Sequence, residues 1–129
     1  MHKRIIKYVV LVALLIIIGV VLFILFQKNP QEIESFKVED YAYYLENFPS
    51  EENVGPIADA KDAEAKAVKI WTKLYGEDVK NQTPYQLFYD EQNHVWFIHG
   101  SLPAHMEGGV ANILIENDSG DVLAVWHDK

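Results

Sequence analysis

The spacing of hydrophobic positions changes repeatedly along this chain of 129 residues. From Tyr8 to Phe26 there is no period at all: the run is almost wholly Val, Leu, Ile, Ala and Phe, with no charge and no proline. At 1.5 Å per residue a helix over it reaches about 28 Å, close to the roughly 30 Å hydrocarbon core of a bilayer. A single transmembrane span over about 8–26 is therefore predicted. After the polar Asn29-Pro30-Gln31, residues 32–48 place Ile33, Phe36, Tyr41, Tyr44, Leu45 and Phe48 at roughly helical intervals with acids between them. Residues 29–53 read either as an acidic aromatic linker or as an extra helix lying on the domain, ended by Pro49 and the polar Ser50-Glu51-Glu52-Asn53.

The next element has both ends marked. Asp59 suits an N-cap, Asp62 follows three residues on, and Ala63, Ala67, Ile70, Trp71 and Leu74 form one apolar stripe. Acids gather at its start and Lys66, Lys69 and Lys73 toward its end, as the helix dipole favours, and Gly76 can terminate it. A helix over about 60–75 is predicted. The period then falls to two. Tyr85–Tyr89 and Val95–His99 flank the turn Asp90-Glu91-Gln92-Asn93, and 108–116 and 121–127 flank Asn117-Asp118-Ser119-Gly120. The pattern is that of an α+β domain over 54–129, one helix packed on a four-stranded antiparallel sheet.

That sheet has apolar residues to spare. Val95 and Phe97 oppose Trp96 and Ile98; Leu123 and Val125 oppose Val122, Ala124 and Trp126; Ala111, Ile113 and Ile115 oppose Asn112, Leu114 and Glu116. One helix covers one face, so residues 32–48, a second copy in a homodimer, or a partner protein must cover part of the other. Trp96, Trp126 and Glu116 are the candidate partner-binding residues, since Trp is enriched at binding hot spots. With Trp71 in the helix stripe, Trp71→Ala is expected to unfold the domain, and Trp126→Ala to cost less if its face is open.

Charge divides the chain at the same point as hydropathy. Residues 1–28 hold four basic side chains and no acid; residues 29–129 hold seven lysines against all 19 acids, so the two parts carry +4 and −12. Lys3, Arg4 and Lys7 precede the span, which predicts a cytoplasmic N-terminus (residues 1–28 being basic flank and anchor) and an extracytoplasmic C-terminal domain at the cell membrane. A signal peptide is the competing reading, but the run exceeds the usual h-region of about 7–15 residues and ends without a small-x-small site, which favours an uncleaved anchor. The acidic part repels phosphate backbones, so no nucleic acid is expected as partner. With no cysteine, disulfides, thiolate metal sites and cysteine nucleophiles are excluded.

No pattern of catalytic, cofactor-binding or metal-binding residues emerges. His94, His99, His105 and His127 lack metal-ligand spacing, the acid pairs fall in predicted loops, and no phosphate-binding or nucleophile-elbow motif is present. A non-enzymatic protein without cofactor is expected.

Several features in order are familiar: Gly55-Pro56-Ile57 and Asp59-Ala60 leading into a helix with Trp71 and Tyr75-Gly76, then Pro84-Tyr85, Trp96 with Gly100-Ser101-Leu102-Pro103, Gly108-Gly109-Val110-Ala111, and Gly120 with Val122-Leu123 before His127. This set resembles the immunity proteins of bacterial polymorphic toxin systems with a nuclear-transport-factor-two-like (cystatin-like) fold, over about 54–129. The resemblance implies a non-enzymatic inhibitor that binds and neutralises a cognate protein toxin, and it carries over no binding residues. The −12 charge makes a basic toxin the expected partner. The alternative is a structural or regulatory ectodomain acting on cell-envelope proteins.

Overall fold

The computed structural model describes residues 2–26 and 32–129, which belong to two compact units, Met1–Gln31 and Glu32–Lys129. Lys28 and the polar break expected at 29–31 lie outside the described residues. In the first unit, helix α1 (His2–Phe26) has no buried side chain. It is long and apolar enough to cross a membrane, a property shared by membrane spans and signal sequences. It begins before the apolar run because Lys3, Arg4 and Lys7 are good helix formers.

The second unit is built on a sheet of five strands: β1 (Ile33–Ser35), β2 (Gln86–Asp90), β3 (Val95–His99), β4 (Ala111–Glu116) and β5 (Val122–His127), lying side by side in that order. The four strands that the periodicity predicts are all present and antiparallel. The fifth, β1, runs parallel to β2 with Ile33 opposite Leu87. Three residues are too few to show a period of two, which is why it is not legible in the hydropathy pattern. Between β1 and the long helix lies a short helix, α2 (Ala42–Asn47), preceded by a 3-10 turn at Val38–Tyr41.

Helix α3 (Ala60–Tyr75) has the predicted bounds. The Asp59 carboxylate accepts the Asp62 N–H at 2.8 Å, and the Asp62 carboxylate in turn accepts the Ala58 N–H at 2.9 Å. Ala63, Ala67, Ile70 and Trp71 are buried against Leu87, Trp96, Ile98, Ile113 and Ile115 of the sheet. Leu74, expected to continue this stripe, is instead 45% exposed, in the last turn of the helix. Trp71 is completely enclosed, and its indole N–H donates to the Asn112 carbonyl at 3.3 Å.

The opposite face is covered by residues 36–48, which act as a strap. Phe36, Val38, Tyr41, Tyr44 and Leu45 pack on Val95, Phe97, Leu114, Ala124 and Trp126. The strap starts at the β1 edge of the sheet and ends at the β5 edge. There the Val125 N–H donates to the Phe48 carbonyl at 3.1 Å and the Val122 N–H to the Glu52 carbonyl at 2.9 Å, so the β5 edge is partly paired, while the three-residue β1 forms the other edge. The chain then passes Gly55, whose carbonyl would lie 1.9 Å from a Cβ on Gly120; glycine at 120, with φ +76°, is what permits that approach.

In β5 the simple alternation fails. Leu114 pairs with Ala124 and Ile115 with Val122, leaving Leu123 as an extra, bulged residue. Val122 and Val125 therefore pack on the α3 side, while Leu123, Ala124 and Trp126 pack under the strap. This corrects the grouping that strict alternation predicts, Leu123 with Val125 and Val122 with Ala124 and Trp126.

Asp90 ties the strap down. It is 4% exposed, and its carboxylate accepts from the Val38 N–H at 2.9 Å, from the Gln92 and Asn93 N–H groups at 3.0 Å each, and from the Asn93 side-chain amide at 2.9 Å. Burial alone would raise its pKa, but these hydrogen bonds outweigh it and hold the carboxyl below its ordinary value. A depressed folded-state value stabilises the fold above the unfolded value of about 3.9, and that contribution is lost as pH falls through the folded value. Asp90→Asn is expected to cost about 2 kcal/mol at neutral pH in urea unfolding, with the difference from wild type closing progressively below about pH 4. Because the strap covers Trp126, Trp71→Ala and Trp126→Ala are each expected to lose about 3–5 kcal/mol in the same measurement.

Candidate functional site

The three residues expected to bind a partner do not share a surface. Trp96 is 6% exposed on the α3 side of the sheet, where its indole N–H donates to the Asn117 side-chain oxygen at 2.9 Å and its ring lies 4.6 Å from Tyr89. Trp126 is 4% exposed on the strap side. Glu116 is half-buried at the end of β4, opposite Val95. Both indoles are thus core residues, and each shows a partner only an edge.

The edge of Trp126 opens into a concave feature of the strap face that gathers functional groups. A cleft of about 330 Å³ lies there, floored by aromatic rings and walled by Tyr41, His99, Asn112 and Asp128. In the floor Tyr44 stacks on Trp126 at 4.1 Å and 16°, and Phe97 lies parallel to Trp126 at 6.0 Å and 7°. His99 Nδ1 lies 2.7 Å from the Gly100 carbonyl, which can only accept, so Nδ1 carries a proton. Burial raises the Tyr41 phenol above its ordinary pKa, helped by Tyr44 and Asp40, so it stays neutral. Asp128 is exposed, but its backbone is fixed: its N–H donates to the Val110 carbonyl at 3.0 Å, and its carbonyl would lie 1.7 Å from a Cβ on Gly109.

Around the rest of the unit, charge is segregated. Residues 60–81 hold five lysines and four acids; the remainder of 32–129 holds two lysines and 15 acids. A second hollow, also about 330 Å³, is lined by Lys66, Lys69 and Lys73 beside α3. Lys66 is held by the Asp62 carboxylate and the Pro56 carbonyl, and Lys73 by Glu52, so most of that positive charge is answered within the fold. The acids instead crowd the strap and the end of the sheet where the β2–β3 and β4–β5 turns meet. There the Asn117 N–H donates to the His94 carbonyl at 2.8 Å, and His94 Nδ1 approaches Asp118 at 3.1 Å. The Asp118 carboxyl is held below its ordinary value, first by the Asn117 side-chain amide and then by His94. A basic partner is drawn to these surfaces rather than to α3.

Among the described residues no three His, Asp or Glu side chains converge where they could hold a metal ion. The cleft residues are largely invisible to spacing rules. Asn112 carries a signal, as a polar side chain in an otherwise apolar strand; His99 and Asp128 sit at or just past strand ends and read as surface groups.

A helix and an aromatic strap on the two faces of a largely antiparallel sheet define a small α+β domain. The family model described as NTF2 fold immunity protein matches residues 63–129, and the chain belongs to that family. Its functional class is therefore toxin-neutralising immunity. No curated protein and no solved structure matches the chain. The matched stretch begins within α3, so the strap lies outside it.

If the acidic turns rather than α3 face the partner, charge reversal will separate the two surfaces. Asp118→Lys with Asp121→Lys is expected to slow association with a basic partner by about tenfold at low salt, as followed by surface plasmon resonance, whereas Lys69→Glu leaves the rate within about twofold.

Proposed function

We propose that this chain is a membrane-anchored immunity protein that neutralises a cognate, basic protein toxin by binding it, without chemistry of its own. The family match over residues 63–129 carries this reading. Helix α1 serves as an uncleaved single-pass anchor, and the positive charge of Lys3, Arg4 and Lys7 keeps its N-terminal side in the cytoplasm. The acidic unit then faces outward and meets the toxin at the envelope, before the toxin reaches its target.

Charge and shape support inhibition by occlusion. The 15 acids outside residues 60–81 give the strap and turn surfaces a negative field that speeds encounter with a cation-rich protein. Sealing of both sheet faces means that the docking surface is the outside of a finished fold, ready without rearrangement.

The test pairs protection with location. Cells expressing the full chain are expected to survive a toxin that kills cells lacking it, and the purified chain to bind that toxin with an affinity that falls about tenfold or more between 0.1 and 1 M salt, where the screening length shrinks from about 10 to 3 Å. The chain is expected to stay with membranes through an alkaline carbonate wash, with its C-terminal unit open to protease added outside spheroplasts. Protection that persists in a variant lacking α1 and confined to the cytoplasm would overturn the envelope placement. Failure of any toxin to be bound or resisted would overturn the immunity reading.

A further inference from the structure

We propose that the cleft under the strap is the docking point for one cationic side chain, an arginine guanidinium, projected by the toxin. This rests on the immunity reading above and adds to it the chemistry and place of a contact. The cleft's composition points to the ligand. Its lining includes the stacked pair Tyr44 and Trp126, 4.1 Å apart; Tyr44 covers Trp126, which offers only an edge, so of the two it is half-buried Tyr44 that has ring surface left to meet a cation. The exposed Asp128 is among its lining residues, and no lysine or arginine is. The adjacent Lys129 is exposed and forms no ion pair within the described residues.

Asn112 supplies the second, independent observation. It is 5% exposed, and its side-chain amide donates to the Val110 carbonyl at 2.9 Å. Its side-chain oxygen takes no hydrogen bond from the described residues. No buried side-chain nitrogen or oxygen in the described residues lacks a partner, so this oxygen reaches the surface, and the cleft is what Asn112 lines. An acceptor in an apolar strand wall that no protein donor occupies is open to a donor brought by a ligand.

A guanidinium fits this set better than an ammonium. It is planar, so it can lie against the Tyr44 ring, and its fork of N–H donors can reach a carboxylate and an amide oxygen together. At about 330 Å³ the cleft lies at the small end of ligand pockets, which span roughly 300–1,000 Å³, and suits a single side chain. Tyr41 and Tyr44 come from the strap, outside the stretch that matches the family. The cleft is therefore a place where specificity for one toxin can be built on to a shared fold.

The test uses the full chain in non-ionic detergent, titrated with the peptide acetyl-Gly-Arg-Gly-amide and its citrulline counterpart, with nuclear magnetic resonance following the Asn112 side-chain amide and the Trp126 indole N–H. Saturable shifts with a dissociation constant of about a few millimolar are expected for the arginine peptide. Citrulline, which keeps the shape and loses the charge, is expected to bind about tenfold more weakly, as is the arginine peptide to Asp128→Asn. Asp128 is exposed, so this variant keeps the fold, checked by unchanged spectra elsewhere. Equal binding of the two peptides, or shifts that never saturate, overturns the cation site. In the toxin assay Asp128→Asn is expected to weaken binding about tenfold. Unchanged toxin binding by that variant overturns the docking role while leaving immunity intact, and absence of any protection by the wild-type chain removes the toxin as occupant.

Discussion

A sheet that is apolar on both faces has to be covered twice, and an amphipathic helix can cover it only once. Everything in the second unit follows from how the other cover is made. Helix α3 buries one face around Trp71, and the twelve or so residues ahead of it bury the other around Phe97 and Trp126. Because the strap has to travel from one sheet edge to the other, the chain at its two ends pairs with the outer strands it meets, β1 on β2 and the Phe48–Glu52 segment on β5. A cover this short has little helix of its own to stabilise it, which makes the buried carboxylate of Asp90 important: it takes the first N–H of the 3-10 turn, at Val38, and fixes the strap to the β2–β3 turn.

The parts of this arrangement that obey a local rule were open to reading from the chain. Helix α3 shows a cap at Asp59, a stop at Gly76 and a 3.6-residue stripe, so its bounds are written within sixteen residues. The two faces of β3 and β4 are assigned correctly by a period of two, and the conclusion that two apolar faces need a second cover follows from β3 and β5, which are apolar on both sides. The parts set by tertiary geometry were not legible. The bulge at Leu123 exchanges faces midway through β5, and nothing in Val122-Leu123-Ala124-Val125 distinguishes a bulged run from an alternating one, since all four are apolar. The strap shows its aromatic residues in sequence, but whether Tyr41 and Tyr44 meet a sheet or a partner depends on residues some 80 positions away.

The same distance explains why the cleft was hidden while the tryptophans were conspicuous. Trp96 and Trp126 draw attention as large side chains on surplus faces, yet their size is what makes them core. The cleft is assembled from groups of ordinary appearance, an asparagine in β4, a histidine at the end of β3, an aspartate after β5 and two tyrosines of the strap, brought together by the sheet register and the crossing of the strap. Of these only Asn112 departs from its surroundings, and it serves two neighbours at once: its carbonyl receives the Trp71 indole on one face, and its side chain opens into the cleft on the other.

Covering the sheet and forming a recognition surface are therefore a single structural event, but they are not equally exposed to change. Trp126 belongs to both, as part of the core of the strap face and of the lining of the cleft, so a substitution there alters the core and the cleft together. Asp128 belongs to the surface alone, since what the fold uses is its backbone, held by Val110 and by the close approach of Gly109. Its side chain is free to vary at small structural cost. Charges segregate in the same sense: Lys66 and Lys73 of α3 are answered by Asp62 and Glu52 within the fold, while most acids of the strap and turns stand outward. A protein that must hold one fold while matching one partner has its adjustable groups where the core does not depend on them, and in this chain those groups lie on the strap side of the sheet and at its turns.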